Sequence, residues 1–209
     1  MLIPSIFKYH KTNSGFSIVE FLVGIFILVL IAVAVSTFQK DIFFFNTFFS
    51  SSITTQEEAR RTLKTMSAEI RSASLSSIGA YPISQAGVSS FIFYSDIDDD
   101  LLKERIRYFL DGTILKKGII KPSGSPLTYN PANETFSELV HDVSSGATSV
   151  FSYYDENYDG TTQPLTEPIN IPDVRLIKIT IIIDRDPTRP PGPATLTTQV
   201  FLRNLKDNL

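Results

Sequence analysis

The chain has 209 residues, 43% of them hydrophobic and 20% charged, with a formal net charge of −3 and no cysteine. That composition excludes a wholly disordered chain, offers no basic excess for wrapping nucleic acid, and removes disulfide and thiolate chemistry. Residues 1–15 carry Lys8 and Lys11 and no acid, so without them the charge is −5. Ten of the 16 Phe precede residue 50 and 11 of the 12 Pro follow Tyr81, so two physically different segments are joined end to end.

The first segment is apolar. Phe21 to Val35 reads FLVGIFILVLIAVAV, and the 23 residues from Phe16 to Phe38 hold one charge, Glu20. A bilayer core takes about 20 apolar residues as helix, so the stretch predicts a membrane-spanning helix rather than a buried core helix. Glu20 is costly there, at about 2.5–3.5 kcal/mol for a carboxylate at mid-membrane. The nearest basic residues are Lys11 and Lys40. Cutting the chain before Phe16 would free an α-amino group four residues from Glu20, one turn away on the same face. Opposite charges about 4 Å apart gain on the order of 4 kcal/mol at an effective dielectric of ~20. That offsets the cost, within one chain or between neighbours.

These residues carry a resemblance. Lys11-Thr12-Asn13-Ser14-Gly15 followed by Phe16-Ser17-Ile18-Val19-Glu20 resembles the prepilin signal of type IV pilins and type II secretion pseudopilins. That family has a short basic leader ending in Gly, a Phe as first mature residue and a Glu at mature position five. The resemblance implies cleavage between Gly15 and Phe16 by a prepilin peptidase on the cytoplasmic side, N-methylation of Phe16, and a role for Glu20 in assembly. The rival is an ordinary secretory signal, with Lys8 and Lys11 as its basic region and Ala32-Val33-Ala34 as its cleavage site. It would deliver a membrane-tethered or secreted binding domain or enzyme. Against it, Glu20 interrupts the apolar run, and the aromatic residues Phe43, Phe44, Phe45, Phe48 and Phe49 follow the cut.

No Pro occurs between Ile6 and Tyr81 and no Gly between Gly24 and Gly79, so helix is predicted from about Phe16 to about Ser76. In its distal half Ala59, Leu63, Met66, Ile70 and Ala73 recur at steps of four and three, a narrow apolar stripe suited to packing on the domain that follows. The Phe cluster at 43–49 suits an aromatic belt at the membrane interface or packing between neighbouring subunits. The helix lacks the Pro near Thr37 that many major pilins carry, and in this it resembles pseudopilins and minor pilins.

From Ser89 the pattern turns to period two. Phe91–Tyr94, Arg105–Leu110, Thr113–Ile120, Ser149–Tyr154, Val174–Ile183 and Thr195–Arg203 are six predicted strands, with Asp111-Gly112 a hairpin signal. The stretches 121–135, 155–173 and 184–193 hold ten Pro and read as loops. A helix followed by short strands is an α+β domain with an antiparallel sheet. The order of elements is similar to that of larger minor pilins and J-type pseudopilins. Its pieces are Asp96–Asp100, the Asp111-Gly112 hairpin, Phe151–Tyr154, Ile177–Ile183 and Arg203-Asn204.

Other chemistry is sparse. Asp155-x-Asn157-x-Asp159-Gly160 matches the opening of a calcium loop, but position twelve is Thr166, with Glu167 one place late. Calcium is therefore held as a candidate ligand of Asp155, Asn157 and Asp159, beside a plain polar hairpin tip. Asp96-x-Asp98-x-Asp100 has Leu101 where Gly is needed and Arg107 where Glu is needed, and reads as a solvated turn. His10 lies in the leader, and His141 alone cannot build a zinc site, with no Cys to help it. Lys116, Lys117 and Lys121 read as a solvated face. No phosphate-binding loop, dinucleotide motif or nucleophile elbow occurs.

The expectation is a non-enzymatic structural subunit with a pilin-like α+β fold and no cofactor beyond that candidate calcium. Residues 1–15 form a leader, 16–49 a transmembrane and assembly helix, 50–76 its amphipathic distal half, and 77–209 a β-rich domain. The expected partners are a prepilin peptidase, other pilin or pseudopilin subunits through the helix, and inner-membrane lipid, with no nucleic acid. The expected location is a single pass of the cytoplasmic membrane with the β-rich domain outside, and then a pilus or pseudopilus.

Overall fold

The structure is a computed structural model that describes residues 15, 17–144, 149–186, 188 and 192–202, with the backbone alone for 41 and 43–52. Phe16, the leader before Gly15, the Phe cluster's side chains and the Arg203-Asn204 ending lie outside what is described.

One helix, α1 (Ile18–Arg71), runs for 54 residues. The chain divides into two compact units at Phe49 and Ser50. In the first, Ile18–Lys40 is long and apolar enough to cross a membrane, and none of it is buried. In the second, α1 stops at Arg71 rather than near Ser76. Serines compete with the helix for backbone bonds there. Ser72 Oγ donates to the Glu69 carbonyl at 2.9 Å and meets Ser95 Oγ at 2.8 Å, and the Ser74 N–H goes to the Tyr94 carbonyl at 3.0 Å.

Among the described residues eight strands follow, in two antiparallel sheets rather than one. The first holds β1 (Ile83–Ala86), β2 (Ser90–Ser95), β3 (Glu104–Asp111), β4 (Ile114–Ile120) and β5 (Thr135–Val140), in that spatial order. The second holds β6 (Phe151–Tyr154), β7 (Leu176–Ile183) and β8 (Ala194–Phe201), again in chain order. The two strands beyond the six predicted, β1 and β5, are edges. Four of the six residues of β5 are exposed, and β1 has one fully buried residue, Ile83, so neither shows an apolar alternation. In the β3–β4 hairpin Asp111 pairs with Ile114, and Gly112 takes φ +62° at the first loop position, a left-handed conformation that Gly adopts without penalty.

The stripe Ala59, Leu63, Met66, Ile70 and Ala73 is buried throughout. It shares one core with the inward residues of both sheets, among them Phe91, Phe93, Ile106 and Tyr108 of the first and Ile177, Ile179 and Ile181 of the second. Register puts Phe91 opposite Tyr108 and Phe93 opposite Ile106, so these four side chains share a face. Rings of Phe151 and Tyr153 lie 5.8 and 5.9 Å from that of Phe91 and join the sheets.

Candidate functional site

The N-terminus of α1 is built by a reciprocal pair. The Ser17 N–H donates to Glu20 Oε2 at 3.1 Å, and the Glu20 N–H donates to Ser17 Oγ at 3.2 Å. This is a capping box, which satisfies two of the backbone donors that every helix start leaves open. The Ser-x-x-Glu spacing carries that signal in the sequence. Weighed only as a charge, Glu20 has no local partner; as a capping residue it has one. Gly15 lies just before this cap in irregular backbone, with open space where a side chain would stand.

Beyond the cap the helix presents apolar side chains all round, with Phe21 64% and Leu28 67% exposed. The hydroxyls of Ser36 and Thr37 are satisfied within it. Ser36 Oγ donates to the Ala32 carbonyl and Thr37 Oγ1 to the Ala34 carbonyl, both at 2.8 Å, which lets them sit in an apolar medium without orphaned donors.

In the 155–162 loop, Asp155 accepts from both the backbone and side-chain nitrogens of Asn157, at 3.0 and 3.1 Å. Asp159 turns elsewhere. Its Oδ1 accepts from the backbone nitrogens and hydroxyls of Thr161 and Thr162, at 2.7–2.9 Å. Those bonds, the Thr162 hydroxyl first, hold its carboxyl well below the usual range. The three candidate ligands therefore meet much of their polar demand locally.

In the β2–β3 loop Asp98, Asp99 and Asp100 are exposed, as in a solvated turn, while Asp96 is half-buried. Asp96, Asp98 and Glu104 each bring a carboxylate oxygen within 4.8 Å of the others. Glu104 opens β3 on the inward face and is fully buried, with Oε2 accepting from the Ile97 N–H at 3.0 Å. Burial pushes its carboxyl above the usual range, and the charges of Asp98 and Asp100 add to this. Glu104 escaped the sequence reading because it is an acid where strand alternation calls for an apolar residue. That mismatch is itself the signal that could have found it.

The lysines do not form a solvated face. Successive strand residues point to opposite sides of a sheet, so Lys116 and Lys117 part. Lys116 pairs with Asp111 at 3.0 Å and Glu138 at 3.4 Å, while Lys117 points into the core and meets Glu69 of α1 at 2.6 Å. Lys121 pairs with Asp98.

No protein-family model matches the chain, and no characterised protein matches it in sequence.

Proposed function

We propose that this chain is a structural subunit of a filament of the type IV pilin class, a minor pilin or a secretion pseudopilin. The observation that carries the reading is the exposed apolar helix of Ile18–Lys40, which bears a single acid, Glu20, four residues past Phe16. In this reading a prepilin peptidase cuts between Gly15 and Phe16 and Phe16 is methylated. The helix first sits in the cytoplasmic membrane with the β-rich domain outside. It then exchanges lipid for the helices of other subunits.

The Ser17–Glu20 box refines the role of Glu20. Before processing, the carboxylate is satisfied by its own helix start. After processing it faces a new ammonium at Phe16. When subunits stack, the Phe16 amine of a neighbour takes that place and sets the axial register. The work of extraction comes from other machinery, because no nucleotide-binding motif occurs in the sequence.

The test is mass spectrometry of the N-terminus of the chain produced with its prepilin peptidase. A polypeptide beginning at methylated Phe16 is expected. A start at Val35, after the Ala32-Val33-Ala34 site, would make this a secreted domain. An intact Met1 would make it a tethered one. Either result overturns the filament reading.

A further inference from the structure

The loop between β2 and β3 gathers five carboxylates, Asp96, Asp98, Asp99, Asp100 and Glu104, within nine residues. Two ammonium groups reach them: Lys103 pairs with Asp96 at 3.0 Å, and Lys121 pairs with Asp98 and stands 3.9 Å from Asp100. Three of the acids, Asp96, Asp98 and Glu104, hold a carboxylate oxygen each within 4.8 Å of the other two. Oxygens on opposite sides of a calcium ion bound at about 2.4 Å stand about 4.8 Å apart, so the span suits the ligands of one such ion. Magnesium, at about 2.0–2.1 Å, asks for a tighter set.

Acids clustered on a turn need no ion, but here a second fact points to one. Glu104 is fully buried, and its Oε1 accepts no hydrogen bond from any described residue. Asp96 Oδ1 is buried and unbonded in the same way. Buried polar atoms are nearly always satisfied, and each exception calls for an explanation such as an ion. Both orphaned oxygens belong to the converging set. The backbone agrees: Leu101, sixth from Asp96, holds φ +71° and donates its N–H to Asp96 Oδ2 at 3.1 Å. That is the place where a calcium loop commonly uses Gly for its sharp turn.

We propose that Asp96, Asp98 and Glu104 bind one divalent cation of the calcium class. Glu104 supplies its oxygen from the core face of β3, and the two aspartates supply theirs from the loop. Lys121, 61% exposed along its side chain, swings away on binding. The ion then ties the start of β3 to the end of β2. It also stiffens a loop already joined to the segment after α1, where the Lys103 N–H meets Ser77 Oγ at 2.7 Å.

The experiment uses the full chain in detergent micelles, with equilibrium dialysis against radioactive calcium and thermal unfolding in calcium or in chelator. One equivalent of calcium is expected to bind. The midpoint is expected to rise by about 3–6 °C at roughly ten times Kd. Glu104→Gln and Asp98→Asn should each weaken binding at least about tenfold with the circular dichroism unchanged, while Asp159→Asn in the other loop leaves it intact. Should Glu104→Gln not fold, the exposed Asp98→Asn carries the same comparison. The proposal is overturned if millimolar calcium does not bind, if Asp159→Asn alone abolishes binding, or if the Glu104 and Asp98 variants bind as well as the native chain. In that last case Lys103 and Lys121 serve as counterions of the cluster among the described residues.

Discussion

Glu69 on α1 holds Lys117 on β4: Oε1 accepts from the ammonium at 2.6 Å, and Oε2 accepts from the Tyr108 hydroxyl, also at 2.6 Å. The two charged side chains are only 15% and 11% exposed. Three polar groups from a helix and two strands thus close on one another beside an apolar core, and they fix where α1 sits on the first sheet. A buried ion pair adds little over apolar residues of equal volume, but breaking one strands a charge. Glu69→Ala is expected to cost about 3–5 kcal/mol in denaturant unfolding. Replacing the trio together, with Glu69→Leu, Tyr108→Phe and Lys117→Met, should recover most of that loss. Equal costs for the single and the triple replacement would refute this account.

Two buried phenols should titrate late. Desolvation raises the Tyr108 hydroxyl far above its ordinary value, and the adjoining Glu69 carboxylate adds to this. Tyr153 is raised too, chiefly by burial. A group whose folded value is raised contributes stability below its unfolded value, near pH 10, and loses it as pH climbs further. Ultraviolet titration should therefore show part of the eight-tyrosine signal appearing only as the domain unfolds in alkali. Tyr108→Phe combined with Tyr153→Phe should remove that late fraction. Its persistence would assign it to other tyrosines.

Gly118 makes room for a side chain from elsewhere. A Cβ there would overlap the Glu134 carboxylate. That carboxylate takes Nε and Nη2 of Arg107, both at 2.9 Å, and the guanidinium lies 4.1 Å above the Phe109 ring. The Glu134 side chain is 10% exposed, so displacing it breaks a largely desolvated two-point pair. Gly118→Ala should cost about 1–2 kcal/mol, although Gly ordinarily weakens a strand. In a Glu134→Ala background the same change should be neutral or better. A cost that persists there would point to the backbone instead.

Glu20 separates two roles by substitution. Gln serves at the third position of a capping box as Glu does, whereas Ala does not. Glu20→Gln therefore keeps the helix start and removes the charge. Both variants should insert in membranes, and both should be depleted from filaments, if the carboxylate sets register through the Phe16 amine. Filament incorporation of Glu20→Gln at the native level would leave capping as the sole task of Glu20. Pelleting assays with immunodetection would read this directly.

What was legible followed from residues that do one job. The stripe Ala59 to Ala73 showed because helical spacing and burial coincide, and the β3–β4 hairpin showed because Gly112 marks a left-handed turn. The strands β1 and β5 stayed hidden because edge strands need no apolar alternation. Lys117 and Glu104 stayed hidden for a different reason. Each is a charge on an inward face, and its partners come from distant segments or from a turn whose shape single-residue preferences do not specify. The split into two sheets likewise depends on which strand each hairpin meets, which periodicity does not encode.

In both sheets every strand lies beside its immediate predecessor or successor along the chain. The pairing steps are therefore local in sequence, the circumstance in which folding is fast, with the longest connection the 155–175 stretch between β6 and β7. The helix that completes the core precedes all the strands. A nascent polypeptide could thus lay down hairpin after hairpin in the order of synthesis, on a helix already present, with the bridge from Val143 to Ile183 closing late.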